Sequence, residues 1–236
     1  MKNQNEVLKM SWKEHLKEEG IKEREKLKQM PPKDRAWYIW EYYKIHIFIL
    51  IGFFMFLGLL GEIFYNKTFT TQLSYATINN FNPDYSFEEF NEEFKAVMGY
   101  GKKDVIEADG SMVIRYGDVI SEMEYGNMAK VSALVAAQDL DILICDQLNI
   151  DHYAELDGFR NLKETLPQDL WQKVEPFIYY GKNEAGEEIP CGIDLSDSYF
   201  CEKTGIDMNP CYLGIVNNTA RIDTVISWID FALEGE

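Results

Sequence analysis

Residues Ile45 to Gly61 read IHIFILIGFFMFLGLLG. These 17 positions hold no Asp, Glu, Lys or Arg, and continuing to Tyr65 gives 21 residues with Glu62 as the one charge. At about 1.5 Å of rise per residue, such a helix is about 26–32 Å long, which matches a bilayer core of about 30 Å. Its apolar residues surround the axis with no polar stripe, as lipid requires and the surface of a soluble domain does not. The stretch predicts one transmembrane helix over residues 45–65. A cleaved signal peptide fits poorly. The apolar run is too long, it begins after 44 residues, and its exit Glu62-Ile63-Phe64-Tyr65-Asn66-Lys67 has no small-x-small step. The segment is expected to stay attached as an anchor.

Working outward, the helix divides the 236 residues into a head, 1–44, and a tail of 171 residues, 66–236, long enough for one domain with its own core. The net charge of −17 is unevenly placed. The head has 11 Lys/Arg against 8 Asp/Glu, a net of +3, and the tail has 12 against 31, a net of −19. Positive charge flanking a membrane helix stays on the cytoplasmic side, and Lys33, Arg35 and Lys44 precede the span while Lys67 alone follows it closely. The expected topology is N-terminus inside and acidic domain outside. An acidic domain repels phosphates, which argues against nucleic acid as a partner.

Residues 5–29 are dense in charge and free of Pro, with pairs such as Glu18–Lys22 at helical spacing, and predict a solvated helical arm. Pro31-Pro32 breaks it and can start the next helix. The run AWYIWEYYK, 36–44, carries Trp37, Tyr38, Trp40, Tyr42 and Tyr43, side chains suited to the headgroup level, and predicts an aromatic belt leading into the span.

Beyond the span, strand and helix patterns alternate, as in an α/β sheet domain. Strands are expected at Leu73–Ile78, Ile142–Cys145 and Tyr212–Val216. Two short strands, Asp104–Ala108 and Ser111–Tyr116, are expected around an Asp109-Gly110 turn. Helices are expected at Ser86–Met98 with Ser86 as N-cap, Gly126–Gln138, Ile150–Leu156, Leu166–Gln172 and Ala220–Leu233, with a helical turn at Ser196–Lys203. Phe177–Gly181 and Glu188–Ile193 read as a hairpin around Glu184-Ala185-Gly186.

Signals for chemistry are poor. The chain contains no GxSxG, HExxH, P-loop or GxGxxG motif. His152 is the one histidine of the tail. Asp139 and Asp141 precede an expected strand that Asp146 follows, so these carboxylates fall at opposite ends of it and cannot act together. Neither an enzyme nor a cofactor is expected. Of four cysteines, Cys145 lies in an apolar run and reads as a buried thiol, while Cys191, Cys201 and Cys211 leave room for one disulfide among them. With no CxxC and one histidine, no metal site is expected.

The stretch VSALVAAQDLDILICDQLNIDHYAELDGFRNLKE, 131–164, has a helix ending in small residues and then the strand Gln138-Asp139-Leu140-Asp141-Ile142-Leu143-Ile144. A short segment Tyr153-Ala154-Glu155-Leu156-Asp157-Gly158-Phe159 and Asn161-Leu162 follow it. This resembles the core of extracellular solute-binding proteins of the periplasmic-binding class. The strand Tyr212-Leu213-Gly214-Ile215-Val216 and the closing helix Trp228-Ile229-Asp230-Phe231-Ala232-Leu233 are similar to the family's C-terminal part. The whole arrangement looks like membrane-anchored proteins of Clostridia-type bacteria. The resemblance implies a reduced periplasmic-binding-like domain, a mixed sheet flanked by helices, with one lobe and part of a second. It also implies a ligand at the C-terminal ends of strands. Those positions are Asn79 and Asn80, Asp146 and Gln147, and Asn217 and Asn218, whose side chains can hydrogen-bond a polar solute and are equally favoured in ordinary turns. Two functions follow as expectations. One is a membrane-anchored domain that binds a small polar solute or a cell-surface partner without chemistry. The other is an assembly protein that uses such a fold as an interaction surface.

Overall fold

The computed structural model describes residues 4–117 and 120–235, in two compact units, Met1–Asn66 and Lys67–Glu236. The first unit is two helices, α1 (Gln4–Gln29) and α2 (Pro32–Asn66). Pro32 opens α2 where a missing N–H is no loss. The turn is closed by Arg35, whose guanidinium donates to the Met30 carbonyl at 3.1 Å. Tyr38 Oη donates to Glu23 Oε1 at 2.8 Å, and Lys26 Nζ lies 5.0 Å from the Tyr38 ring centre. The charged arm therefore folds back beside the aromatic segment. That segment and the apolar run are one unbroken helix, whose portion Tyr43–Asn66 is long and apolar enough to cross a membrane.

The second unit runs β1 (Thr70–Ile78), α3 (Glu88–Val97), β2 (Asp104–Met112), α4 (Glu122–Ala137), β3 (Ile142–Cys145), α5 (Gln147–Glu155), α6 (Leu162–Thr165), α7 (Gln168–Val174), β4 (Ile178–Lys182), β5 (Glu188–Asp194), α8 (Tyr199–Thr204), β6 (Tyr212–Ile215) and α9 (Ile222–Glu234). The strands form one six-stranded sheet in the order β2-β1-β3-β6-β5-β4. β2, β1 and β3 are parallel, whereas β6, β5 and β4 alternate antiparallel from there. This is a mixed α/β sheet flanked by helices.

Both faces of the central strands are covered, so they read as near-continuous apolar runs. Leu73 and Tyr75 of β1 face one core with Phe90, Phe94, Phe200, Trp228 and Phe231 from α3, α8 and α9. Ala76 and Ile78 face the other, with Val131 of α4 and Ile150 and Ala154 of α5. The first core is aromatic: the Tyr75 ring lies 5.2 Å from Trp228 and 5.3 Å from Phe87, and Phe200 lies 5.0 Å from both Phe90 and Trp228. Rings at these separations add to the burial itself.

Several boundaries differ from the sequence expectation. Asp109-Gly110 does not turn the chain. β2 runs straight through it as one strand along β1, with irregular register. Gly110 is needed because the Tyr85 ring lies over it, and a Cβ there would sit 2.4 Å from the ring. α3 starts at Glu88, not Ser86, although Ser86 Oγ still accepts from the Glu88 amide at 3.3 Å. α4 starts four residues before Gly126 because Ser121 and Glu124 form a capping box. α5 starts at Gln147 because Asp146 caps it.

Candidate functional site

The C-terminal ends of β1, β2 and β3 lie along one edge of the sheet, since these strands are parallel. Asn79 ends β1 at φ 64°, a left-handed conformation that Asn tolerates better than most residues. Its Nδ2 donates to the Ile114 carbonyl at 2.8 Å and to Asp146 Oδ2 at 2.7 Å, and its Oδ1 accepts from the Ile114 amide at 2.9 Å. Asp146 caps α5, its Oδ1 accepting from the Asn149 amide at 3.0 Å and from Asn149 Nδ2 at 2.8 Å. Asn149 is fully buried, donates also to the Ile114 carbonyl at 3.2 Å, and accepts from Tyr116 Oη at 3.1 Å. The His152 ring packs on Tyr116 with centres 4.2 Å apart. Burial, aided by neighbouring Tyr153, pushes the acidity of the Tyr116 hydroxyl far below that of a free tyrosine.

Asn79 and Asp146 are thus brought together, and they bind each other. Their polar atoms knit the ends of three segments, and the network closes on itself. Asn80 is also buried. Its Oδ1 accepts from the Asn82 amide at 3.3 Å, while its Nδ2 has no hydrogen-bond partner.

Gln147 is exposed at the start of α5 and donates to Tyr179 Oη at 3.3 Å. Tyr179 Oη donates to Asp151 Oδ1 at 2.7 Å, and its ring lies 4.3 Å from that of Tyr212. Partial burial, and then the bond to Asp151, push the Tyr179 hydroxyl up to about 12. An open recess of about 260 Å³ lies here, lined by Asp151, Glu155, Tyr179, Tyr180, Lys182 and Glu188 among others. A second, of similar volume, is lined by Lys173, Phe177, Asp194, Ser196, Asp197 and Glu234 among others.

Asn217 and Asn218 do not join this edge. They follow β6, and β6 runs antiparallel to β3, so its end lies beside the start of β3. Asn217 Nδ2 donates to the Asp157 carbonyl at 3.1 Å, and Asn218 Nδ2 donates to the Val135 carbonyl at 2.6 Å. The six candidate residues therefore divide between opposite edges, four on one and two on the other.

At that opposite edge the structure shows a cluster that the sequence reading missed. The fully buried Asp141 accepts from the Ser74 amide at 2.8 Å and Arg221 Nε at 2.7 Å through Oδ2, and from the Thr219 hydroxyl through Oδ1. Its partners are 67, 80 and 78 residues away, so local patterning carries no signal for them. Among the described residues, no group of three or more His, Cys, Asp or Glu side chains is placed to hold a metal ion. Comparisons with protein-family models, with curated proteins and with solved structures find no match to this chain.

Proposed function

We propose that this chain is a single-pass membrane protein, N-terminus inside, whose acidic extracytoplasmic domain works by binding a protein partner rather than by catalysis. The apolar helix Tyr43–Asn66 and the positive flank at Lys33, Arg35 and Lys44 support the anchoring and its orientation. One observation favours a protein partner over a small polar solute. Asn79 and Asp146 at the strand ends, and Asn149 of α5 beside them, are engaged with one another. A solute would have to break this network without a gain to replace it. The net charge of −19 over residues 66–236 suits a basic partner surface and a salt-dependent encounter.

The periplasmic-binding resemblance supports the second reading, solute binding, and the tyrosine pair Tyr179 and Tyr212 beside Asp151 gives it a place. There a flat solute could lie against half-buried rings within reach of Gln147. Thermal melting of the full chain in detergent, against a panel of sugars, amino acids, peptides and metal ions, separates the readings. A bound solute at a hundredfold excess over its dissociation constant stabilises by about 2.7 kcal/mol, or about 5–10 °C for a domain of this size. A flat response from a cooperatively melting protein is the expected result. A shift abolished by Tyr179→Ala would overturn the partner reading in favour of the solute.

A further inference from the structure

The C-x9-C spacing of Cys201 and Cys211 brings two sulfurs to 3.6 Å from each other inside the aromatic core, although the two residues belong to different segments. Cys201 lies in α8, where the Ser198 cap accepts from its amide at 3.3 Å. Cys211 sits just before β6. Its amide donates to Ser196 Oγ at 3.1 Å and its carbonyl accepts from the Leu195 amide at 2.7 Å. Both backbones are therefore fixed, and the sulfurs meet without a change of fold. We infer that Cys201 and Cys211 are a disulfide-forming pair, which joins α8 to the start of β6 on exposure to a disulfide-class oxidant, while Cys145 and Cys191 remain thiols.

A disulfide bond is about 2.05 Å long, so the sulfurs need to close by about 1.5 Å, within the reach of side-chain rotation. The pair is also chemically unequal. The hydrogen-bonding contact with Cys211 holds the Cys201 thiol below its ordinary value, against burial and the nearby Asp194 and Asp197. The same contact and burial hold Cys211 up. Cys201, which is 5% exposed where Cys211 is fully buried, is the attacking group. Its thiolate attacks one sulfur of the oxidant, R–S–S–R, forming a mixed disulfide and releasing one RS⁻, which takes up the proton lost from Cys201. Cys211 gives up its proton, attacks Cys201 Sγ and expels the second RS⁻, which is protonated in turn. Two protein thiols lose two electrons and two protons, and one oxidant disulfide becomes two thiols. Cys145 and Cys191 lie in the other core, on the opposite face of the sheet, and burial pushes both thiols up.

The supply of oxidant in the cell rests on the extracytoplasmic placement proposed above, but the pairing itself does not, and the experiment keeps them apart. The purified full chain in detergent is equilibrated with oxidised glutathione, denatured, alkylated and digested for mass spectrometry. The expected product is a single Cys201–Cys211 cross-linked peptide pair, with alkyl groups on Cys145 and Cys191. Alkyl groups on all four cysteines, or mixed pairings, would overturn the inference. Oxidised protein is also expected to melt several degrees above reduced protein, and C201A/C211A to lose that difference. The same mapping on protein trapped by alkylation at cell lysis reads the compartment. Finding it reduced on arrival, with clean pairing afterwards, would uphold the pair and count against the extracytoplasmic placement.

Discussion

Replacing Asp141 by Ala removes a fully buried carboxylate and strands the three donors aimed at it, the Ser74 amide, the Thr219 hydroxyl and Arg221 Nε. A hydrogen bond to a charged group contributes about 1.5–3 kcal/mol, so three taken separately would suggest more than about 4 kcal/mol. They share one acceptor and are not independent. Truncation of one side of a buried ion pair costs about 3–5 kcal/mol, and that is the expected loss for D141A. The domain's whole stability is about 5–15 kcal/mol, so the variant sits near the folding threshold. D141N keeps the shape and one acceptor, and is expected to lose about half as much. The assay is urea unfolding of the Lys67–Glu236 unit, followed by the fluorescence of the buried Trp228. The midpoint should fall with the slope unchanged. A double-mutant cycle with R221A should show a coupling of more than about 1 kcal/mol. D141A within about 1 kcal/mol of the wild type would refute the assignment of Asp141 as the tie between β1, β3 and the start of α9.

Asn79→Ala leaves the Ile114 amide and one oxygen of Asp146 without their partner, takes one of two donors from the Ile114 carbonyl, and places Ala at a positive φ, so a loss of about 2–4 kcal/mol is expected in the same assay. Gly214→Ala puts a Cβ 2.4 Å from the buried Phe159 ring and should cost about 1–3 kcal/mol, a loss partly recovered by adding Phe159→Leu. Bonds from the Ser121 hydroxyl and amide, and then from Arg115, lower Glu124 from 4.5 to about 2 in the folded protein. A depressed carboxylate stabilises fully above its unfolded value and loses that contribution as pH falls through its folded one. The first turn of α4 should therefore loosen between about pH 4.5 and pH 2, read as faster amide exchange at Tyr125 and its neighbours. E124Q should abolish that step.

What the sequence revealed followed the reach of its signals. The apolar run, the Phe87–Phe90–Phe94 spacing, the β4–β5 hairpin and the strand Ile142–Cys145 are written in local periodicity, and all appear in the structure. Asp109-Gly110 looked like a turn because the glycine's use, room for Tyr85, comes from a residue that is remote along the chain. The candidate site was half legible. Asn79 and Asp146 were placed on one edge by the parallel pairing of β1 with β3. Asn217 and Asn218 were misplaced relative to them, because nothing in a four-residue strand tells which way it pairs. The direction of β6 is set by long-range contacts such as Leu143 with Gly214, where the missing Cβ admits Phe159.

The helix α2 has a mechanical consequence. Its 35 residues make a rod of about 52 Å, some 20 Å longer than a bilayer core, with no proline after Pro32 to act as a joint. From Asn66 back to Trp37 and Tyr38 the backbone is one continuous hydrogen-bonded helix. There the Tyr38–Glu23 bond and the Lys26 contact work as a catch on α1. In the proposed topology one continuous helix is the anchor and also carries, toward its N-terminal end, the catch on α1.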